Sequence, residues 1–384
     1  MANFDVFDVL PEVPVTEQWD YLTDILKSYN GTEQRIALRV NPRVQMEMRY
    51  NALSPTQRRS MYHTLTRAMV TAYAVPQFQY AAPLTADAAS GQARVFFDNS
   101  LSNIRAGQEA VLYNALTGAT EKFTVLTVET DGATFSTNLA NAQAAGQVVC
   151  VPSPSASVSP SANINFGAAA GDATLRTQTI EIWDVLRPNH AASLTTFDSL
   201  TLLDKTFLNK TGEVFNYRRE WLDGDTGKIV QKSRDNYLQV NRALEFESSR
   251  SAGDLDYWRL LFNTQRGGQV SFLLSTQLPD LTLTSTPAPA ATSLLIEEGT
   301  VYATYMFPNG AFKRVALEYS DGTATSYHVV NAADATSITL ATGISSTSIS
   351  KISFLQRVRA DDTIRFDHYQ DVTAVKFKVT TVEN

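Results

Sequence analysis

Cysteine is almost absent from this chain of 384 residues, in which Cys150 is the only example. One thiol excludes a disulfide framework and a cysteine-ligated zinc site within a single chain. Because Cys150 follows Val148 and Val149, we expect it to be a small buried residue rather than a reactive thiol. Histidine is scarce as well, and its examples are too scattered to form a metal-binding pair such as H-x-x-x-H. We therefore expect no metal and no other cofactor, and we expect these histidines to be surface or structural residues: His63, His190, His328 and His368.

The chain also lacks an excess of positive charge, since 32 lysines and arginines stand against 39 aspartates and glutamates, a formal net charge of −7. A surface that binds phosphates needs clustered lysine and arginine, so nucleic acid is not the expected main partner, although a local basic patch is compatible with an acidic total. No apolar run approaches the roughly 20 residues of a membrane span. The start, Met1 to Asp5, has no basic region of a signal peptide. We expect no membrane anchor, folding in a cytoplasm, and delivery to the outside only by assembly.

Motifs for catalysis are missing too, because the sequence has no G-x-S-x-G elbow, no P-loop and no dinucleotide fingerprint. Pairs of carboxylates could serve a glycosidase, but a strand face or a helix N-terminus gives such pairs a structural role. The loop that starts at Asp223-Gly224 has Arg234 at its twelfth position, where a calcium loop needs a glutamate. The sequence therefore predicts no enzyme, and the carboxylate pairs to check are Glu245/Glu247, Asp254/Asp256 and Asp361/Asp362.

What the sequence does contain is a hairpin–helix–strand pattern that runs from the Asn30-Gly31 turn to Leu84. Met46 and Met48 alternate with polar residues, as in a half-buried strand. Ser54-Pro55 predicts the start of a helix, with serine as the cap and proline at the first helical position. An extended segment follows the helix. The helix is expected to turn one apolar face inward, formed by Met61, Leu65, Ala68, Met69 and Ala72.

The same order recurs from Asp223 to Leu283. Leu244 and Phe246 alternate like the two methionines of the first pattern, and Arg266-Gly267-Gly268 predicts a left-handed helix stop. The offset of about 200 residues exceeds the periods of solenoid repeats, so we interpret the pattern as a duplicated domain. The second helix is expected to face inward with Leu255, Trp258, Leu261 and Phe262.

Short strands and turn residues without a helical pattern follow each of the two modules, which predicts small β-barrels or sandwiches. The expected fold is a β-rich α+β fold with duplicated antiparallel sheets, each backed by a helix, and two satellite β-barrel or sandwich domains. The expected boundaries are 1–85 for the first module with an N-terminal arm, 86–151 for a small β domain, 152–172 for a linker, 173–283 for the second module, 284–345 for a second small β domain, and 346–384 for strands that return to the second module.

Arginines of the first module are separated by even numbers of residues. Residues two apart on a strand share a face, so arginine and glutamate predict a polar strand face opposite an apolar one. Such a sheet suits a water-filled channel or a ring interface, and the alternative is an ordinary solvated face. Two extended segments with aromatic residues, Pro76–Tyr80 and Val270–Leu274, are expected to be sheet edges that await a neighbour. The candidate ring-interface or channel-facing residues are Arg35, Arg39, Arg43, Arg49, Pro76, Phe78, Tyr80, Val270, Phe272 and Leu274.

At these residues the chain resembles the tail-tip proteins of long-tailed bacteriophages, over about half of its length. Residues 29–39, followed by Pro42-Arg43, are similar to the opening "G-x-E-x-R-x-A-L-R … P-R" of that family. Residues 261–272 are similar to its "R-G-x-x-x-x-F" segment, although residues 274–281 lack the tryptophan that usually follows. Residues 352–364 resemble the family's closing segment.

The resemblance implies tail-tube-like β-domains, each an antiparallel sheet backed by a helix, assembled as a ring at the distal end of the tail tube. It implies a homo-oligomer of three or six chains, contacts with tube, hub, tape-measure and fibre proteins, and DNA only in transit through the channel. The protein would then be part of the virion tail, assembled in the host cytoplasm.

Two other functions stay open on the sequence. The chain could be a receptor- or carbohydrate-binding tail module, with Tyr302, Tyr305 and Tyr319 as candidate contacts, although tyrosines of the core fit the same pattern. It could also be a cell-wall hydrolase that uses one of the carboxylate pairs.

Overall fold

The fold is known from a computed structural model that describes residues 10–27, 33–39, 41–67, 73–99, 102, 104–153, 155–158, 163–166, 171–179, 193–208, 213–223, 227, 229–249, 252–308 and 310–382. Five features named above lie outside these residues: the N-terminal arm up to residue 9, the Asn30-Gly31 turn, Ala68, Met69 and Ala72 of the first helix, His190, and Gly224.

The fold is β-rich and has several sheets, as the sequence predicts. Its strands are β1 (Glu12–Asp20), β2 (Thr23–Lys27), β3 (Glu33–Ala37), β4 (Arg43–Leu53), β5 (Tyr73–Ala74), β6 (Ala82–Pro83), β7 (Arg94–Phe96), β8 (Glu109–Asn114), β9 (Thr120–Glu129), β10 (Gly132–Phe135), β11 (Val148–Pro152), β12 (Ser155–Val158), β13 (Asn163–Phe166), β14 (Gly171–Thr179), β15 (Thr196–Phe197), β16 (Leu200–Leu203), β17 (Glu213–Asp223), β18 (Ile229–Ser249), β19 (Phe272–Ser275), β20 (Ser293–Leu295), β21 (Arg314–Tyr319), β22 (Ser326–Ala333), β23 (Ser337–Leu340), β24 (Ile349–His368) and β25 (Val372–Thr381). Its helices are α1 (Pro55–Arg67), α2 (Ala252–Gln265) and α3 (Gly299–Val301), with a π-helical turn at Tyr302–Met306 and 3-10 turns at Phe78–Tyr80 and Gly310–Phe312.

Strands from both halves of the chain form one antiparallel layer, which we call the central sheet. Its order is β18–β25–β24–β1–β4–β14. Trp19 of β1 lies opposite Ile364 on one side and Val44 on the other, and Leu244 of β18 lies opposite Phe377 of β25. The strands of the two sequence modules therefore share one sheet, joined where β1 meets β24.

The inner face of the central sheet packs on α2. Leu255, Trp258, Leu261 and Phe262 of this helix are buried, which confirms the inward face predicted for it. The Trp258 ring lies 4.6 Å from that of Phe246, measured between centroids. Each large apolar side chain that is fully buried contributes about 1.5–3 kcal/mol relative to exposure, so this helix is a main source of stability for the layer.

The glycine stop predicted after α2 is confirmed. Arg266 and Gly267 both have left-handed backbones, with φ of 49° and 65°. A Cβ atom on Gly267 would lie 2.6 Å from the Cβ of Tyr21 and 2.6 Å from Oδ1 of Asp362. The stop therefore requires glycine both for its backbone angle and for the close approach of the strand end.

The start of α1 is confirmed as well. Ser54 Oγ accepts a hydrogen bond from the Gln57 N–H at 3.2 Å, and the Gln57 side chain accepts one from the Ser54 N–H at 2.9 Å. This is a reciprocal capping box. Of the apolar face predicted for this helix, Met61 is buried and Leu65 is half-buried.

Besides the central sheet, two smaller sheets each have a core of their own. The first has the order β6–β11–β8–β9–β10–β7 and a core of its own. Cys150 lies inside that core, where burial raises the pKa of its thiol, so the expectation of a buried structural cysteine is confirmed. The second small sheet combines β20 to β23 with the first part of β24, where Ile352 lies opposite Leu317.

The prediction that Pro76–Tyr80 is an extended edge is wrong. Phe78–Tyr80 is a 3-10 turn, and Pro76 and Tyr80 are buried. The cause is a polar interaction that the local pattern does not show: the Tyr80 hydroxyl donates to the carboxylate of Glu17. The Phe78 ring packs edge-to-face on Tyr113 of the first small sheet, at 5.2 Å between centroids.

The prediction that Val270–Leu274 is an open edge is also wrong. Val270 is exposed and precedes the strand, whereas Phe272 and Leu274 are fully buried in β19. This strand pairs in parallel with β16 and antiparallel with β24, so both of its edges are occupied. The parallel partner, Leu200–Leu203, was not recognised as a strand in the sequence.

Two boundaries differ from the prediction. Part of the expected linker at 152–172 forms β12 and β13, which pair with β14, because small polar residues can complete a backbone ladder without forming a core. Within 346–384, where several strands are expected, Ile352 and Ile364 belong to one strand, β24, of 20 residues. An irregularity in its pairing with β25 lies between Ala360 and Ile364.

Candidate functional site

From β18 to β4, where the structure describes the side chains, the outward side of the central sheet is polar, and we call this side the polar face. On β4 the alternation is strict: Val44, Met46, Met48 and Tyr50 are buried, while the residues between them point outward. The polar and apolar faces predicted for this strand are therefore confirmed. The polar face comprises Thr16, Gln18, Asp20, Arg43, Gln45, Glu47, Arg49, Glu245, Glu247, Thr363, Arg365, Asp367, Lys376 and Lys378.

The strand register aligns these side chains in rows that cross the sheet. One row runs from Glu245 on β18 through Lys376 and Arg365 to Gln18 and Gln45. Residues directly opposite one another on neighbouring strands have Cβ atoms about 4.5–5.5 Å apart. The polar face is thus one continuous surface, to which both halves of the chain contribute.

Asp367 is the centre of the charge pairing on the polar face. Its carboxylate accepts hydrogen bonds from Arg365 Nε at 2.7 Å and from Thr16 Oγ1 at 2.8 Å, and it lies 3.0 Å from Lys376 Nζ. Burial by itself raises the pKa of this carboxyl, but the hydrogen bonds from Arg365 and Lys376 outweigh burial and hold the pKa below its usual value. Lys376 also pairs with Glu245 at 3.3 Å. Arg365 and Lys376 are therefore both paired with carboxylates within the face.

The four candidate arginines divide between two places. Arg43 and Arg49 lie on the polar face, where Arg49 pairs with Glu47 at 3.3 Å and keeps 63% of its side chain exposed. Arg35 points instead toward the end of α2, and Arg39 donates to the Asp20 carbonyl at 3.4 Å. The common face predicted from even spacing is therefore found for Arg43 and Arg49, but not for Arg35 and Arg39.

A groove of about 740 Å³ lies on the polar face beside the irregular part of β24. A second hollow of about 250 Å³ adjoins it across Arg365. The charged residues that line the larger groove are Glu245, Asp361, Asp362, Arg365, Lys376 and Lys378. Within the described ranges, no three His, Cys, Asp or Glu side chains are grouped so that they could hold a metal ion.

A buried polar cluster joins β1, the Phe78–Tyr80 turn, α2 and β24. The carboxylate of Glu17 accepts a hydrogen bond from Trp19 Nε1 at 2.7 Å and lies 3.0 Å from His368 Nε2. Arg259 donates to the Tyr80 hydroxyl and stacks on its ring at 4.7 Å. Burial raises the pKa of Glu17, but the interactions with His368, Arg259 and Tyr80 outweigh burial and lower it to about 2.

This cluster joins the two halves of the chain, because Glu17 contacts His368 and Tyr80 contacts Arg259. All of its members are buried, so its role is structural. Sequence reasoning did not identify it, although one signal was present. Glu17 has the same strand parity as Val15 and Trp19, both of which point inward. A charge at an inward position needs a partner, and that requirement alone could have directed a search for a buried cation.

The three segments that carry the family resemblance meet in space. Arg35 donates to Ser271 Oγ at 2.8 Å and to the Gly268 carbonyl at 3.3 Å. Glu33 accepts from Arg359 Nε at 3.1 Å. Asp362 accepts from the Gly268 N–H at 3.1 Å. Residues that are far apart in the sequence therefore form one junction at the end of α2.

The candidate carboxylates mostly serve ion pairs. Asp254 pairs with Lys205 at 3.0 Å, and Asp256 pairs with Arg259 at 3.3 Å. Asp361 lies 3.8 Å from Arg359, and burial raises the pKa of this carboxyl. His328 is held between Ser326 and Thr342 at 2.8 and 2.9 Å.

Comparison with known proteins gives no relative: no protein-family model matches the chain, and a search of curated proteins found no match. Among the described helices, none combines the length and the apolar character that crossing a membrane requires.

Proposed function

We propose that this chain is a structural subunit of the distal tail of a long-tailed bacteriophage. Copies of it form a ring that joins the tail tube to the baseplate or tail tip, and the polar face lines the channel. The observation that carries this proposal is the central sheet itself: its outward side is polar from β18 to β4, where side chains are described, and α2 packs on its other side.

An amphipathic sheet of this width suits a channel wall. Six strands spaced by about 4.8 Å span an arc of about 29 Å. If the strands run along the axis, three copies close a circle about 27 Å across and six copies close one about 55 Å across. The diameter of the ring therefore identifies the number of chains.

The duplicated tube-like modules that the resemblance implies are part of this proposal. Each half of the chain contributes three strands to the central sheet: β1, β4 and β14 from the first half, and β18, β24 and β25 from the second. One helix follows β4 and one follows β18. What the two halves share is the step from a long strand of the central sheet to a helix, and the proposal of two copies of one ancestral unit rests on that step.

The charge pairing of the polar face suits DNA in transit. A protein binds the phosphate backbone through lysines and arginines that are free to replace counterions. Asp367 and Glu245 already neutralise Arg365 and Lys376. These two pairs weaken the attraction of the face for a passing polyanion, which favours transit over retention. The other partners in this proposal are the tube, hub, tape-measure and fibre proteins of the tail.

Electron microscopy of the purified full chain, alone and mixed with tail tubes, tests the proposal. We expect closed rings, or caps on tube ends, with one of the two diameters given above. A labelling arm tests the orientation: a cysteine at Gln45→Cys should react with a small maleimide but not with one linked to a large polymer. Leu116→Cys, in the turn between β8 and β9 and 74% exposed, should react with both. A monomer that never joins tubes, or equal reaction of both positions with the large reagent, would contradict it.

One observation favours the alternative of a receptor- or carbohydrate-binding tail module. Tyr305 is 75% exposed on the π-helical turn, whereas Tyr302 and Tyr319 are buried. π-helical turns are found frequently at functional sites. Binding to host cells or to a glycan array, compared between the natural chain and Tyr305→Ala, tests this alternative. Loss of binding in the variant alone would support it.

The cell-wall hydrolase hypothesis gains no support from the carboxylates just described, which are engaged in ion pairs. Zymography on cell-wall material with Glu245→Gln and Asp254→Asn remains its test. Clearing by the natural chain that is lost in one variant would support that hypothesis.

A further inference from the structure

The groove of about 740 Å³ on the polar face follows from the strand register around Lys378. On one side, Lys378 of β25 lies opposite Ala243 of β18, whose methyl group fills little space. On the other side, the pairing of β24 with β25 passes from Ala360 to Ile364, so residues 361–363 have no direct partner on β25, and Lys378 has none on β24. A small side chain and a widened strand pair therefore leave room for a ligand. The volume lies within the range of about 300–1,000 Å³ that is typical of small-molecule sites.

Four of the six charged side chains that line the groove are already engaged. Lys376 Nζ lies 3.0 Å from Asp367 and 3.3 Å from Glu245. Arg365 Nε donates to Asp367 at 2.7 Å. Asp362 accepts hydrogen bonds from two backbone N–H groups and one hydroxyl, which belong to the β2–β3 hairpin and to the loop after α2. These four side chains therefore hold the sheet and its neighbours together.

The other two charged side chains, Asp361 and Lys378, are not engaged in this way. Lys378 is exposed, and within the described part of the chain its ammonium has no ion pair. Asp361 lies 3.8 Å from Arg359, whose Nε already binds Glu33 at 3.1 Å. Burial outweighs the attraction of Arg359 and Lys378 and raises the pKa of Asp361, so this carboxylate is incompletely compensated. An ammonium and a carboxylate therefore line the same groove without pairing with each other.

Each of these two charges sets a condition for a ligand. The ammonium of Lys378 suits a carboxylate or another oxyanion, and the carboxylate of Asp361 suits an ammonium or a guanidinium. A ligand with a single charge is repelled by the residue of like sign, because both residues line one groove. A ligand that carries both charges satisfies both residues at once.

We propose that this groove binds a small zwitterion, whose carboxylate contacts Lys378 and whose ammonium contacts Asp361. Amino acids are the simplest ligands of this class. The inference goes beyond the structural role of the proposed function. Because the ring does not enter the argument, failure to find rings would leave this site standing.

Isothermal titration calorimetry of the full chain with a series of unbranched amino acids tests the site. The series is glycine, β-alanine, γ-aminobutyrate and δ-aminovalerate, in which each step moves the two charges further apart by one methylene group. We expect saturable binding that is tightest for the member whose charge separation matches the two side chains. Its N-acetylated and amidated forms, which each lack one charge, should bind about tenfold more weakly. No saturable binding by any member, or equal binding of the blocked forms, would overturn the inference.

Two variants assign the two ends of the ligand. Lys378→Gln and Asp361→Asn each remove one charge with little change of size, and each should weaken the best ligand about tenfold. Amidation of the ligand should cost nothing further in Lys378→Gln, and N-acetylation should cost nothing further in Asp361→Asn, because the partner charge is already gone. Lys122→Gln, at an exposed position of β9, is the matched control and should bind like the natural chain. Unchanged binding in Lys378→Gln or Asp361→Asn would refute the assignment of this groove.

Discussion

Helices α1 and α2 each follow a long strand of the central sheet, but they differ in burial. In α2 the side chains of Leu255, Trp258 and Phe262 are buried between the helix and the sheet. In α1 Met61 is buried, whereas Tyr62 is 50% exposed. A common order of elements therefore does not imply a common role: α2 holds the fold together, and most of the described surface of α1 faces outward.

The largest expected effect separates the two helices by core packing. Trp258→Ala should lower the free energy of unfolding by about 4 kcal/mol, because it removes a fully buried ring from contact with Phe246 and Phe377. Met61→Ala in α1 should cost about 2 kcal/mol, the low end of the range for such changes. Urea denaturation followed by circular dichroism measures both. Equal losses would remove the distinction between the helices.

The next effect concerns the buried charges that tie α2 to β1. The pKa of Glu17 is lowered to about 2 from an ordinary 4.5, so the stabilisation is complete above pH 4.5 and is lost as the pH falls toward 2. The shift corresponds to about 3 kcal/mol. Glu17→Gln should abolish this part of the pH dependence in thermal unfolding scans. The pair of Arg49 and Glu47 on the outward face of β4 is the control: Arg49→Gln should change stability by less than about 1 kcal/mol.

A third effect concerns the end of α2. Gly267→Ala should cost about 2 kcal/mol, because the new methyl group meets Tyr21 and alanine disfavours a φ of 65°. Gly118 has a similar φ of 69° but open space around its Cβ position, so Gly118→Ala should cost only about 1 kcal/mol. Thermal melts of the two variants separate the close approach from the backbone strain. Equal losses would show that the approach to Tyr21 contributes nothing.

The smallest effect concerns the start of α1. Ser54→Ala removes one half of the capping box with Gln57 and should cost about 1 kcal/mol. Thr56→Ala, in the exposed first turn of the same helix, should change stability by less than about 0.5 kcal/mol. Chemical denaturation of the two variants gives the difference. A neutral Ser54→Ala would show that this exposed helix end frays in the folded protein.

Prediction from the sequence succeeded where a pattern is local. The alternation at Met46 and Met48 gave the two faces of β4, and Ser54 and Gly267 gave a helix start and a helix stop. It failed at Tyr80 and Phe272, whose apolar surroundings looked like open edges. Tyr80 is turned inward by Glu17, and Phe272 lies in a strand with neighbours on both sides. In both cases the deciding partner is far away in the sequence.

The same limit applies to the candidate site. Even spacing predicted the outward position of Arg43 and Arg49, but nothing near Arg35 in the sequence shows that it binds Ser271. In the sequence, Asp367 is one more polar residue on a strand. In the structure, the strand register brings Arg365, Lys376 and Thr16 around its carboxylate. Charge pairing across a sheet depends on which strands are neighbours.

The sequence by itself determined the β-rich class, the buried cysteine, the two faces of β4, the start of α1 and the end of α2. These follow from a strand period of two and from the conformational limits of serine, proline and glycine, which act over a few residues. Only the tertiary structure decided that the halves share one sheet and that Glu17 meets His368, 351 residues away. Such contacts depend on closing long loops and on the packing of whole elements, which no local pattern specifies.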